Sequence, residues 1–368
     1  MPVTESTLTV VLHLTSSGNL SGGTRQAALL AGALAEDGHR VVFCAPPGSP
    51  ALRWAEERGA TPRGVAFGSL WGQWKASRVL RRIASECGAD VVHAHHTKGH
   101  NAALLATFGG AFPPVVANRG VLFSPKFPAK FRSRRTAAIV TNSAAVKGVL
   151  ERQRIPGEKV RVIYNAVTVP DPADLRRRLP ELRSDLGLDE GPVVGTVGSG
   201  RPEKGFQYLA EAAPTILARH PSARFVLVGG GTERLVPRLR ELGIADRFVL
   251  PGHRNDAWTL MGLFDLFVLP SVDMESCPNV VLEAMGMGLP VVGSRVGGVA
   301  DLVEDEVTGR IVPPGEPAAI AAAVESLLAA PEQAAELGRR GRARALAEFT
   351  WERKKERTLS VYREVLSR

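Results

Sequence analysis

The chain has 368 residues, 44% hydrophobic and 23% charged, enough to bury the cores of two domains rather than one. Its net charge of +9 is uneven: residues 1–170 hold 21 Lys/Arg against 9 Asp/Glu, and residues 171–368 hold 25 against 28. No apolar run is long enough to span a bilayer, and Cys44, Cys87 and Cys277 are odd in number and far apart, which suits reduced thiols better than a disulfide framework or a zinc site.

The first residues lack a basic n-region and a cleavage site, so no secretion signal is read and a cytoplasmic location is expected. The basic first half suits an anionic partner, a phospholipid surface or a phosphorylated acceptor, although a generally Arg-rich composition gives the same excess. Nucleic acid is not expected, since no DNA- or RNA-binding motif is present.

Leu8–Leu14 reads as a strand, followed by a turn from Gly18 to Thr24 and a helix with apolar positions Ala27, Leu30, Ala31 and Leu34. Val41–Cys44, Asp90 to His96, Val115–Asn118, Ala138–Thr141 and Val160–Ile163 read as further strands. Strands alternating with helices point to a parallel sheet covered on both faces. Thr168 to Asp189 is rich in Pro, Asp and Arg with little apolar periodicity, so 1–170 reads as a first domain and 171–190 as a linker. A second alternation fills 191–351: strands at Val193–Val197, Phe225–Val228, Phe248–Leu250, Leu266–Leu269, Pro290–Gly293 and Arg310–Val312. A helix face runs through Phe206, Leu209, Ala210, Ala213 and Leu217. The tail from Pro317 is helical and ends in an amphipathic helix to Arg368.

Four stretches carry candidate chemistry. Gly22-Gly23 opens a helix after the first strand, where glycines admit a ligand to the backbone and the helix start favours phosphate; many such turns carry Gly-Gly for steric reasons alone. His93-Ala-His95-His96-Thr-Lys98 ends a strand. His93 and His95 share a side and such a pair can bind metal, but no acid or thiol lies nearby in sequence, so no metal is expected. Gly198-Ser199-Gly-Arg201-Pro-Glu-Lys204-Gly205 follows a strand and brings a lysine able to neutralise a diphosphate. In the fourth stretch Glu275 precedes a short apolar helix from Asn279, and Glu283 lies about one turn inside it. Carboxylates there suit sugar hydroxyls, and the backbone N–H groups at Asn279 and Val280 suit a phosphate.

Phe123, Phe127 and Phe131 recur every four residues among Lys126, Lys130, Arg132, Arg134 and Arg135. Trp71 and Trp74 stand among Lys75, Arg78, Arg81 and Arg82. Such segments either lie on an anionic bilayer or cover core; Pro125 and Pro128 argue against a regular helix in the first.

A strand, Pro270-Ser271, Glu275, seven residues, Glu283, Gly-Leu-Pro-Val-Val and Gly297-Gly298 follow in order. In this the chain resembles the retaining glycosyltransferases of family 4, of group 1 type. The resemblance implies an α/β GT-B fold of two Rossmann-like domains facing each other across a cleft, with a C-terminal helix, about 352–368, crossing back to the first domain. It implies transfer of a sugar from a nucleotide-diphosphate sugar to a carbohydrate or lipid-linked acceptor hydroxyl. Cell-envelope glycan, lipopolysaccharide or glycolipid synthesis, at the inner face of the plasma membrane, would be the setting. Glu275, Lys204 and His95 are the catalytic candidates it implies. Glu283 would meet the ribose and Glu275 the transferred sugar. Lys204, Asn279, Val280, Gly22 and Gly23 would meet the diphosphate, and His95, His96 and Lys98 the acceptor side. No Asp-x-Asp occurs, so neither metal nor other cofactor is expected.

The chain departs from the family pattern in three places. Ser199 stands where an arginine is usual, with Arg201 two positions later either replacing it or exposed in the loop. Asn165-Ala-Val-Thr168 replaces Asn-Gly-Val-Asp, and Ser276-Cys277 replaces a Gly and a bulky residue. A sugar-nucleotide epimerase on the same fold, or a non-catalytic sugar-nucleotide or lipid-binding protein, stays open as an alternative.

Overall fold

The computed structural model describes residues 9–19, 21–169, 172–188 and 191–368. It divides into two compact units, Met1–Asn165 with Trp351–Arg368, and Ala166–Thr350. Leu8 of the first expected strand and residues 170, 171, 189 and 190 of the linker region lie outside the described residues.

The first unit runs β1 (Val10–Leu14), α1 (Gly22–Glu36), β2 (Arg40–Ala45), α2 (Pro50–Glu56), β3 (Thr61–Gly64), α3 (Leu70–Cys87), β4 (Val91–Ala94), α4 (Thr97–Ala106), β5 (Val115–Arg119), α5 (Ala129–Arg132), β6 (Thr136–Thr141), α6 (Ala144–Arg152) and β7 (Val160–Val162). The strands form one parallel sheet in the order β3-β2-β1-β4-β5-β6-β7.

The second unit runs α7 (Pro172–Asp185), β8 (Val193–Val197), α8 (Phe206–Arg219), β9 (Arg224–Val228), α9 (Val236–Glu241), β10 (Phe248–Gly252), α10 (Ala257–Met261), β11 (Leu266–Leu269), α11 (Asn279–Met287), β12 (Val291–Ser294), α12 (Val299–Leu302), β13 (Arg310–Val312), α13 (Pro317–Ala329) and α14 (Pro331–Glu348). Its sheet is parallel in the order β10-β9-β8-β11-β12-β13. The chain then returns to the first unit as α15 (Trp351–Leu366).

The central strands of both sheets are largely apolar on both faces, as a sheet sandwiched by helices requires. Phe225, Val226, Leu227 and Val228 of β9 are all buried, and α8 lays Phe206, Leu209, Ala210, Ala213 and Ile216 onto the sheet at helical spacing. In the first unit α1 buries Ala27, Leu30, Ala31 and Leu34, and α15 adds Val361, Tyr362 and Val365 to the same core. Arg161 Nη2 donates to both carboxylate oxygens of Glu364, at 2.7 and 2.8 Å, and holds the end of α15 to β7. The helix expected to cross back therefore does so.

Two readings change. The edge strand β3 is short and carries Pro62, which an edge tolerates because one side of the strand needs no ladder donor, and its Thr-Pro-Arg-Gly sequence has no strand pattern. The stretch read as a linker contains α7, a 14-residue helix. Its periodicity is hidden by arginines and by Pro180, and Leu179 reaches Gly262 next to α10 in the same unit.

In each sheet the strand order reverses once, between β1 and β4 and between β8 and β11. Ligands of doubly wound folds bind outside the carboxyl ends of the strands at such reversals. All the candidate loops following these four strands lie there.

Candidate active site

In the second unit the loop after β8 carries Ser199, Arg201 and Lys204, and the loop after β11 carries Ser271 and Glu275. Glycines bring the loops together. Gly229 has φ +146°, and a Cβ there would stand 1.6 Å from the Gly198 carbonyl oxygen; Gly205 has φ +71°, and a Cβ there would stand 1.9 Å from that of Pro270. Only glycine satisfies both the backbone conformation and the approach.

Lys204 Nζ lies 2.6 Å from Glu275 Oε1, which also accepts from Ser271 Oγ at 2.7 Å. Glu275 is 4% exposed, and its own carbonyl accepts from Gly298 N at 2.8 Å, so the Gly297-Gly298 turn steadies the loop. Met274, immediately before it, takes φ +68° and is half exposed. A strained residue beside a buried carboxylate is the kind of feature that clusters at functional sites.

Helix α11 starts at Asn279, after Pro278, and holds Glu283, half-buried, one turn in. Arg201 is exposed, with Nε 3.1 Å from Ser199 Oγ and 3.2 Å from Glu203 Oε1. Arg201 thus leans on Ser199 within its own loop.

In the first unit Thr15, just past β1, has Oγ1 2.7 Å from His96 Nδ1, and His96 Nε2 sits beside the Gly22-Gly23 turn, 3.8 Å from where a Gly23 Cβ would be. Gly22, Gly23 and His96 are therefore neighbours. His95 Nε2 lies 2.8 Å from His13 Nδ1, and His93 Nδ1 lies 2.7 Å from the Tyr362 hydroxyl on α15. Burial holds all three imidazoles well below the usual range, His13 at about 3, so they are neutral. Lys98 is exposed in the first turn of α4.

His13 was not anticipated. It faces His93 in register because β1 and β4 are neighbours, a pairing that an 80-residue separation hides. The signal was a lone polar residue inside an apolar strand at the point where the strand order reverses. Cys44, Cys87 and Cys277 are buried and form no disulfide.

The aromatic stripe is divided by the structure. Phe131 is 2% exposed and belongs to the core with Ala117, Ile139 and Leu150, which corrects its placement on a surface. Lys130 is drawn inward too: its Nζ donates to Asn101 Oδ1 at 2.8 Å, and burial lowers its pKa to about 8. Phe123 and Phe127 are exposed, the latter by 75%, and Arg119 donates to the Phe123 carbonyl. Lys126, Arg134 and Arg135 are exposed among them. Trp71 and Trp74 project from the start of α3 in an edge-to-face pair, with Arg78 over Trp74 at 3.9 Å. No described helix is long and apolar enough to cross a membrane.

The sequence matches two family models, "Glycosyltransferase Family 4" over residues 20–169 and "Glycosyl transferases group 1" over 191–330. It is 30% identical over 371 residues to alpha-D-kanosaminyltransferase of Streptomyces kanamyceticus, covering 89% of this chain and 95% of that protein. It is 30% identical over 311 residues to phosphatidyl-myo-inositol mannosyltransferase of Propionibacterium freudenreichii subsp. shermanii, covering 77% and 76%. The crystal structure of Anabaena HepE in complex with UDP superposes with a TM-score of 0.84 at 23% identity, covering 97% of this chain and all of that one. With two parallel Rossmann-like sheets and matches spanning both, the chain belongs to glycosyltransferase family 4 and has the GT-B fold.

Proposed function

We propose that this glycosyltransferase moves a sugar from a nucleoside diphosphate sugar to an acceptor hydroxyl with retention of anomeric configuration. The observation that carries the reading is the Lys204–Glu275 pair, held where the strand order of the second sheet reverses. A donor presents a diphosphate to the ammonium and sugar hydroxyls to the carboxylate, so each group exchanges its present partner for a ligand of the same charge preference. Glu283 takes the ribose hydroxyls. The first turn of α11, at Asn279 and Val280, adds its positive end to the diphosphate. HepE, with the same fold, binds UDP.

In the transfer step the acceptor oxygen bonds to the anomeric carbon as the bond from that carbon to the phosphate oxygen breaks. The acceptor's proton passes to the departing phosphate oxygen on the same face, so no protein base is required. Lys204 stabilises the charge that grows on the diphosphate, the largest electrostatic demand of the step. Charge is met by Lys204 and backbone N–H groups, and no metal is needed. Arg201, beside Ser199, supplies the cation missing from that position.

His95, with His96 and Lys98, meets the acceptor. A glycolipid or other envelope acceptor fits the exposed Trp71, Trp74, Phe123 and Phe127 with their basic neighbours Lys126, Arg134 and Arg135, which suit an anionic bilayer surface. The phosphatidyl-myo-inositol mannosyltransferase similarity supports this reading.

The test is a thermal-shift screen of sugar nucleotides, since a ligand bound by the folded state raises its stability. It is followed by NMR of the product made with the stabilising donor. Stabilisation by one donor that disappears in Lys204→Ala, and an axial product from an axial donor, are expected. An inverted product, or conversion of donor in the absence of any acceptor, would refute the proposal.

A further inference from the structure

His13, His93 and His95 converge where the strand order of the first sheet reverses. Ring centroids lie 4.2 Å apart for His93–His95, 4.9 Å for His13–His95 and 5.4 Å for His13–His93. Each ring offers a nitrogen, and the three nitrogens lie within 4.8 Å of one another. His13 and His93 are 0% and 1% exposed, and Nε2 of each is buried without a hydrogen-bond partner. A buried polar atom left unsatisfied costs about 1–3 kcal/mol, so two in one cluster need a physical reason.

We propose that His13, His93 and His95 form a binding site for a divalent transition-metal ion, Zn²⁺ by ligand chemistry. Three neutral imidazoles are a set that binds this ion, with the fourth position left open. His95, at 9% exposed, is the most accessible of the three. Tyr362 on His93 Nδ1 is the outer hydrogen bond that directs Nε2 inward. With no carboxylate in the set, magnesium and calcium are disfavoured. Zinc–nitrogen bonds of about 2.0–2.1 Å place tetrahedral ligands about 3.4 Å apart. A pair at the 4.8 Å limit then closes by about 1.4 Å, and His95 Nε2 exchanges its bond to His13 for the ion. Lys354, whose charge is felt at His93 and His95, opposes a cation and keeps the affinity modest.

The ion is not a cofactor of the transfer. It engages His95, so occupancy removes that side chain from the acceptor and slows turnover. This consequence rests on the function proposed above; the binding itself does not.

The test uses the full chain, stripped with EDTA and titrated with Co²⁺, and separately with Zn²⁺ against a chromogenic chelator. One equivalent bound, with the visible d–d absorption of a four-coordinate ion, is expected. Both are lost in His13→Gln and His95→Gln and kept in His220→Asn, while Tyr362→Phe weakens binding about tenfold. Thermal melts establish that each variant folds; should His13→Gln fail to fold, His95→Gln, at the rim of the cluster, decides. Binding of less than one equivalent, or a signal that survives His95→Gln, overturns the site. Stoichiometric binding by a protein with no transferase activity would refute only the proposed function.

Discussion

Lys204 and Glu275, 71 residues apart in sequence, meet at 2.6 Å with the carboxylate almost wholly buried and the ammonium partly open to solvent. Removing the lysine leaves the buried carboxylate without its counter-charge, which is costlier than the pair's net worth. Lys204→Ala should cut kcat/KM by about 10²–10³-fold, the range for losing one donor to a developing negative charge. Because Lys204 is partly solvated, the stability loss should stay near 1–2 kcal/mol. Steady-state kinetics and urea titration check both. Unchanged turnover in a folded Lys204→Ala protein would remove this residue from the reaction.

The approach of the β8 and β9 loops depends on Gly229. Gly229→Ala combines a backbone conformation that L residues rarely adopt with overlap on the Gly198 carbonyl. A loss of about 3 kcal/mol or more is expected, together with weaker donor binding, since the lysine loop is displaced. A urea midpoint within error of the parent would show that the loops separate freely.

The Tyr362 hydroxyl makes one of the bonds that tie the C-terminal helix to the first sheet. Tyr362→Phe keeps the ring, which packs edge-on to His93 at 5.7 Å, but strips the partner from His93 Nδ1. A destabilisation of about 1–3 kcal/mol follows, read by chemical denaturation.

His100 is buried, its Nε2 bonded to Thr136 Oγ1 at 3.0 Å, and burial lowers its pKa from 6.5 to about 3. It is neutral when folded and protonated when unfolded below about pH 6.5, so the unfolded chain binds more protons and stability falls as pH drops. The loss is about 1.4 kcal/mol per pH unit from this group, between the two pKa values. His100→Leu should flatten the profile by that slope. Equal slopes for parent and variant would contradict it.

Trp71, Trp74 and Phe127 are exposed while Phe131 is core. Replacing the first three with serine should abolish flotation with acidic vesicles and leave the melting temperature almost unchanged. Phe131→Ser should instead destabilise by several kcal/mol, roughly the cost of an aromatic deletion in a core. Flotation that is insensitive to lipid charge would dismiss the membrane surface.

Much of the fold is legible in the sequence. The two alternations of apolar strand and helix, the glycine-rich turns and the spacing of Glu275 and Glu283 are local patterns, and local patterns follow from strand pleat, helix period and glycine's backbone freedom. Three features lay beyond that reach. The edge strand β3 and the helix α7 have compositions that deny their conformation, and neighbours supply the stabilisation. Phe131 was indistinguishable from Phe127 in a four-residue repeat, because the irregular backbone around Pro125 and Pro128 breaks the link between spacing and facing. The histidine cluster is the clearest case. His93 and His95 are visible in one short motif, but the third ring comes from a strand 80 residues earlier and the tyrosine beside them from a helix 269 residues later. Strand order, which no local pattern encodes, decided that they meet.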